Sequence, residues 1–374
     1  MNIRNSFKGL ALATSLLVMV ASAQAVELRI AAGAPPSHPA SDPMYKTFVE
    51  SLASKPELDI TAKPLGLEVS DLRSMMSNLQ SNVIDVGNIL TSYYAADFPQ
   101  NSLVGDLAPL GKKGLAMTGA VTEYTATCAE CLAEFDKLGT VYLGTGSTPT
   151  NWIHTTKPVN SVADLKGLRV RAGAAPFVRW AEVMGAAPQQ ISFNEEFEAL
   201  STGLLDGTIA PPTNLAASRL FEVIKYIIPV PIGTTHAAAS FTFNKDTWLS
   251  LTPEQRAHAL RSASKALASF EPAMRKSGDE AVAKAKEMGI TFVDLPADLE
   301  KANNDYEAKA MADVAEVGRT RYKIADADER VKRFAALVEK WNGLITDEHD
   351  DPEKMADLMH QEIWSKIDLE NYVK

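Results

Sequence analysis

The sequence predicts an α/β protein of two domains, each built on a mostly parallel sheet flanked by helices, with a helical C-terminal region. Three observations predict it. From Val26 onward, strand-length apolar runs alternate with helical periodicities, the pattern of parallel sheets covered by helices. A second series of the same kind begins near Gly144. The chain has 374 residues, more than one hydrophobic core usually serves, so two domains are expected.

In chain order, residues 1–25 read as a signal peptide. Arg4 and Lys8 precede an apolar run from Leu10 to Val20, and Ala23-Gln24-Ala25 supplies the small-x-small cleavage pattern. The run is too short to span a bilayer and no later stretch is longer, so the expectation is a protein exported to the periplasm and not embedded in the membrane. Residues 28–30 then form a strand, followed by a loop with Pro35, Pro36 and Pro39. Asp42-Pro43 predicts a helix start, with Tyr45, Phe48 and Leu52 on one face. Residues 58–63 are a second strand, Leu72, Met75, Met76 and Leu79 mark an amphipathic helix, and 83–87 is a third strand ending at Asn88. Residues 122–135 read as one helix carrying Cys128 and Cys131. In an oxidising compartment that pair has three readings: a structural disulfide, a redox pair or two free thiols.

In the second series, residues 151–155 form a strand. Leu168 and Val170 alternate with Arg169 and Arg171 in another, and Ala172-Gly173 ends it. A helix with Phe177, Trp180 and Met184 on one stripe follows. Ser192-Phe193-Asn194-Glu195 is a capping box for the next helix, which stops at Asp206-Gly207. Residues 237–243 are strand-like and return the chain to the first domain. Beyond Pro253 the pattern is helical, with one strand at 290–293. The expected division is 26–148 with 237–280 for domain I, 149–236 with 281–330 for domain II, and 331–374 for a C-terminal helical extension.

Composition narrows the function. Loss of Arg4 and Lys8 with the leader leaves 35 basic residues against 47 acidic ones, so a general electrostatic footprint for nucleic acid is excluded. Any positive potential for an anion has to be local. No Gly-x-Ser-x-Gly elbow, His-Glu-x-x-His, phosphate loop or dinucleotide fingerprint occurs, and the six histidines lack zinc-ligand spacing. Neither catalytic residues, nor a metal site, nor a cofactor is therefore expected. The acidic run Asp347-Glu348-His349-Asp350-Asp351 lacks calcium-loop spacing and reads as a solvated loop. Glu195 and Glu196 sit where capping and the helix dipole explain them.

Arg171 stands at the carboxyl end of a strand in a strand-helix unit, the place where open α/β sheets bind ligands, and a guanidinium matches a carboxylate bidentately. Its plain alternative is a surface salt bridge. Other candidates at element ends are His38, Asn88, Ser92, Tyr93, Asn151, Trp152, Phe193, Asn214 and His236, each with a bland reading as core or loop.

One stretch is more specific. It runs through Asp164-Leu165-Lys166-Gly167-Leu168-Arg169-Val170-Arg171, Met184-Gly185-Ala186-Ala187-Pro188, and Phe193-Asn194-Glu195-Glu196-Phe197-Glu198-Ala199-Leu200. Asp206-Gly207 and Phe221-Glu222-Val223-Ile224-Lys225-Tyr226 complete it. In that order these pieces resemble the substrate-binding proteins of tripartite ATP-independent periplasmic (TRAP) transporters, of the dicarboxylate-binding type. The resemblance covers residues 26 to about 290 and is weak in the tail. It implies a type II-like periplasmic binding protein with its ligand cleft between the domains, Arg171 as the carboxylate clamp, and delivery of an organic acid to ion-gradient-driven membrane permease subunits. Two departures bear on the ligand. Asn151 stands where family members often carry a second arginine, and Ala210 stands where many have an asparagine before Pro211. One strong cation suits a monocarboxylate, since a second carboxylate would be buried unpaired. Two other readings stay open: the binding component of an ATP-driven importer or sensor system, and a secreted enzyme using Glu195 or His236.

Overall fold

The computed structural model describes residues 25–369 and Tyr372. Residues 1–24 of the expected leader lie outside the described residues. The chain opens with β1 (Val26–Ala31), α1 (Lys46–Ala53), β2 (Ile60–Pro64), α2 (Met75–Gln80) and β3 (Val86–Ile89). Next come α3 (Pro99–Gly105), α4 (Gly114–Ala126), α5 (Ala129–Lys137) and β4 (Thr140–Tyr142). A second series holds β5 (Trp152–Thr155), β6 (Arg169–Arg171), α6 (Ala175–Val183), β7 (Ala187–Gln189), α7 (Glu196–Ser201), β8 (Gly207–Ala210), α8 (Asn214–Ala217) and β9 (Tyr226–Ile228). The chain ends with β10 (Ala239–Asn244), α9 (Lys245–Ser250), α10 (Pro253–Glu287), β11 (Thr291–Phe292), α11 (Ala297–Thr320), α12 (Ala327–Leu344) and α13 (Pro352–Glu362).

Two sheets result, ordered β2-β1-β3-β10-β4 and β11-β9-β5-β8-β6-β7. Among the described residues, five of the nine strand pairings are parallel. The four antiparallel ones all involve β5 or β10, the strands that follow the two loop passages between the sheets, whereas β11, reached through α10, pairs parallel with β9. The sheets are thus mixed, because a strand entered by a loop from the shared seam runs opposite in direction to its neighbours in the sheet. The two passages lie side by side: Asn151 N–H donates to Gly233 O at 2.8 Å, and Thr148 N–H to Thr235 O at 3.0 Å.

The first lobe has one core, with Leu28, Phe48 and Phe241 at its centre. The tail is part of it: Val331, Phe334 and Trp341 of α12, Met355 and Met359 of α13, and Trp364 pack into the same cluster. In the second lobe, one cluster around Val170, Phe177 and Trp180 and another around Leu215, Ile224 and Ile227 bury the sheet. Helix α10 serves both lobes, with Leu260 and Leu267 in the first core and Ala281 and Ala285 against the second lobe.

Two local readings need correction. The helix expected to start at Asp42-Pro43 begins instead with a turn at Ala40–Tyr45. Asp42 within it is extended (φ −135°, ψ 110°), as the residue before a proline prefers. The single helix expected at 122–135 is two. Thr127 Oγ1 bonds back to Glu123 O, Cys128 adopts an extended backbone, and its Sγ accepts the Cys131 N–H at 3.1 Å, which caps a new helix. Cys128 and Cys131 are joined as a disulfide.

Candidate ligand cleft

Between the lobes lies a cavity of about 120 Å³, formed where strand ends of both sheets meet. The loop after β1 brings His38, the end of β3 brings Asn88, Ser92 and Tyr93, and the end of β6 brings Arg171. Beyond β8 come Pro211 and Asn214. Because β5 and β10 run against their neighbours, their amino-terminal ends reach the same edge, so Asn151 and Ala238 also line the cavity. The remaining wall is largely apolar and includes Met44, Leu72, Phe177, Phe193, Phe270 and Met274. Among the described residues that line it, Arg171 alone is a lysine or arginine, and none is an aspartate or glutamate.

Arg171 is 6% exposed. Its Nε donates to Ile191 O at 2.9 Å, and Nη1 lies 3.5 Å from Glu196 Oε1, too long for a strong hydrogen bond. The planar fork is therefore positioned from behind and still has donors for a carboxylate. Glu196 is fully buried. Its Oε1 accepts from Thr208 Oγ1, and its Oε2 accepts from Asn214 Nδ2 at 3.0 Å, which disperses its charge. A Cβ on Gly173 would stand 2.8 Å from Arg171 Nη2, so only glycine leaves the guanidinium room there.

The residues picked from the sequence separate cleanly. His38, Asn88, Ser92, Tyr93, Asn151, Arg171, Phe193 and Asn214 line the cavity. Trp152 does not. Successive residues of β5 face opposite sides, so Asn151 meets the cavity while Trp152 packs against the Leu215 cluster and lines a groove on the far side. His236 is also elsewhere, 2% exposed, with Nε2 3.0 Å from Val104 O and Nδ1 3.0 Å from Thr234 Oγ1. Its neighbour Thr235 lines the cavity instead. Glu195 is half exposed and pairs with Arg73 of the first lobe at 2.6 Å. That contact belongs to a seam: Tyr93 Oη accepts the Phe193 N–H at 3.0 Å, and Asn194 Nδ2 donates to Gly33 O at 3.3 Å. Sequence reasoning missed Glu196 as the brace of Arg171, and also Phe270 and Met274. The last two had a signal, an apolar pair four residues apart on a predicted helix.

The fold and the cleft define a two-lobed solute-binding protein. Its sequence matches the family described as "Bacterial extracellular solute-binding protein, family 7" over residues 31–315, and the chain belongs to that family. It is a substrate-binding protein of the TRAP type. The C4-dicarboxylate-binding periplasmic protein DctP of Rhodobacter capsulatus is 28% identical over 196 residues, 52% of this chain and 47% of that protein. The matched stretch spans less than half the length of the curated relatives. A TRAP periplasmic solute-binding protein of Bordetella bronchiseptica, solved with bound (R)- and (S)-mandelate, is similar with a TM-score of 0.73 at 21% identity. That likeness covers 84% of this chain and 99% of that one. A TRAP solute-binding protein of Rhodoferax ferrireducens in complex with copurified benzoate gives a TM-score of 0.75 at 19% identity, over 85% of this chain and 99% of that one.

Proposed function

We propose that this protein is a periplasmic receptor that binds a small, largely apolar monocarboxylate through Arg171 and delivers it to the membrane permease subunits of a TRAP system. The carrying observation is one buried guanidinium in an otherwise uncharged, mostly apolar cavity. Such a cation gains most from a single carboxylate, and a second would be buried without a counter-charge. His38 does not supply one, because burial pushes its imidazole down to about 4 and keeps it neutral. The cavity's about 120 Å³ is close to the roughly 150 Å³ of an engineered cavity that holds benzene, so a ligand with one ring fits. The mandelate and benzoate bound to the structural neighbours belong to that class. The lobes that close on the ligand are taken as 26–148 with 237–280 and 149–236 with 281–330. Export through the leader at 1–25 places the receptor in the periplasm.

The test is a thermal-shift screen of the mature protein followed by calorimetric titration, since a ligand of the native state raises its apparent stability. Benzoate, phenylacetate or mandelate should bind more tightly than succinate or malate. Tighter binding of a dicarboxylate would overturn the monocarboxylate reading.

A further inference from the structure

The wall contributed by the first lobe is polar without being charged. His38 follows β1, and its Nδ1 accepts the Ala40 N–H at 3.0 Å, so in the neutral ring the proton sits on Nε2. The ring is held edge-on to Phe193 at 5.1 Å and tilted against Phe270 at 6.3 Å. No hydrogen bond of Nε2 to another described residue is present, so this N–H is a donor in reserve beside the cavity.

Asn88 is the last residue but one of β3, the strand next to β1, and is 7% exposed. Its Nδ2 donates to Ala32 O at 3.2 Å, at the base of the loop that carries His38. That carbonyl partner settles which amide atom is nitrogen. Asn88 Oδ1 is then a buried acceptor without a partner, and such groups are rare because leaving them unpaired is costly.

We propose that His38 and Asn88 form a subsite for a hydroxyl group of the ligand, so that the receptor selects hydroxy acids over their deoxy counterparts. The inference rests on the monocarboxylate reading above and adds to it. A hydroxyl both accepts and donates, so it can take the His38 Nε2–H and give its proton to Asn88 Oδ1. A ketone or a second carboxylate only accepts, which leaves Asn88 Oδ1 unpaired. An ammonium only donates, which sets it against the His38 N–H. The carboxylate on Arg171 and the hydroxyl on the opposite lobe then engage both halves of the cleft at once, and the apolar wall packs the body between them.

The experiment is calorimetric titration of the mature protein with phenylacetate, mandelate and 3-hydroxyphenylacetate, which differ only by a hydroxyl and its position. At least one hydroxylated acid should bind roughly 10- to 100-fold more tightly than phenylacetate. In Asn88→Leu, which keeps the branched shape and removes the acceptor, the ratio should fall to about threefold or less. His38→Phe keeps a ring between Phe193 and Phe270 and should lower the ratio in the same direction. The ratio is the readout, because general damage to the cleft weakens all three acids alike. Binding of all three within about threefold by the unmodified protein, or a ratio that survives both substitutions, would overturn the subsite and leave the monocarboxylate reading standing. Failure of all three to bind would remove that reading and the subsite with it.

Discussion

Helix α10 has a cavity on one side and a groove on the other, and Met274 lines both. On the cleft side the helix presents Phe270 and Met274 to a space whose one lysine or arginine is Arg171. On the far side the groove holds Lys112, Lys113, Glu271, Arg275, Asp279 and Asp350. There the charges answer one another: Arg275 pairs with Asp350 at 2.7 Å and with Glu271 at 3.8 Å, and Lys112 pairs with Glu307. The difference is one of unused capacity. Exposed charges that already have partners contribute little beyond local stability, whereas a buried fork that is braced by Glu196 and still has donors toward an apolar space is set for a ligand that brings a carboxylate to accept them.

The largest expected effect breaks the comparison at Arg171. Arg171→Ala and Arg171→Lys should each weaken ligand binding by roughly 30-fold to several thousand-fold, the range for truncating one partner of a buried charged pair. Arg169, two residues earlier on the same strand, is the control. Its Nε and Nη2 are spent on Asp206 at 2.9 and 3.0 Å, and its side chain is 45% exposed. Arg169→Ala should leave the dissociation constant within about threefold. Titration of both variants with the acid that binds the unmodified protein checks this, and equal losses would mean that the clamp is misassigned.

How much of this was legible differs between the two faces. The cleft was readable in outline because sheet edges gather ligands and the strand pattern places Arg171 at such an edge. The facing of Trp152 was not, because it depends on which neighbour β5 pairs with, and the register Trp152 to Ala210 is tertiary information. His236 failed for a related reason: the loop turns Thr235 toward the cavity and buries the imidazole beside Val104 and Thr234. Glu196 follows Glu195 in a helix start that capping already explains, so nothing in the local pattern marks one as buried brace and the other as a surface partner of Arg73. In the tail, the amphipathic helices were visible but their destination was not. Only the fold shows that Phe334 and Trp341 complete the first core.

The second expected effect probes the far side through Glu271, which is 6% exposed and lies at the groove. Burial pushes its carboxyl up to about 7, against the pull of Arg275. A carboxyl whose folded value exceeds its unfolded one favours the native state fully below the unfolded value, near 4.5, and that advantage is lost as pH rises through about 7. Glu271→Gln should therefore stabilise the protein at pH 8 by on the order of 2 kcal/mol relative to the unmodified chain, with little difference at pH 5. Urea denaturation at the two pH values measures this. An equal effect at both would show that ionisation of Glu271 is not opposed in the folded state. Ligand affinity at pH 5 should be unchanged in either case, because the carboxyl faces away from the cavity.

The smallest effect sharpens the contrast at Asp350. Its pair with Arg275 is about half exposed on both sides, so the direct loss in Asp350→Asn should be no more than about 1 kcal/mol. The indirect consequence is more telling. Asp350 pushes the Glu271 carboxyl up and also occupies Arg275, which pulls it down. Removing the Asp350 charge leaves Arg275 to Glu271 alone, so the Glu271 value should fall toward its ordinary one and the loss of stability between pH 5 and pH 8 should shrink. Asp350→Asn should thus cost slightly more at pH 5 than at pH 8, opposite in sense to an exposed pair acting alone, which would cost the same or more where both partners are fully charged. Denaturation curves at the two pH values distinguish these outcomes. A cost that grows with pH would mean that Asp350 acts only through its own ion pair and that Glu271 is not coupled to the groove.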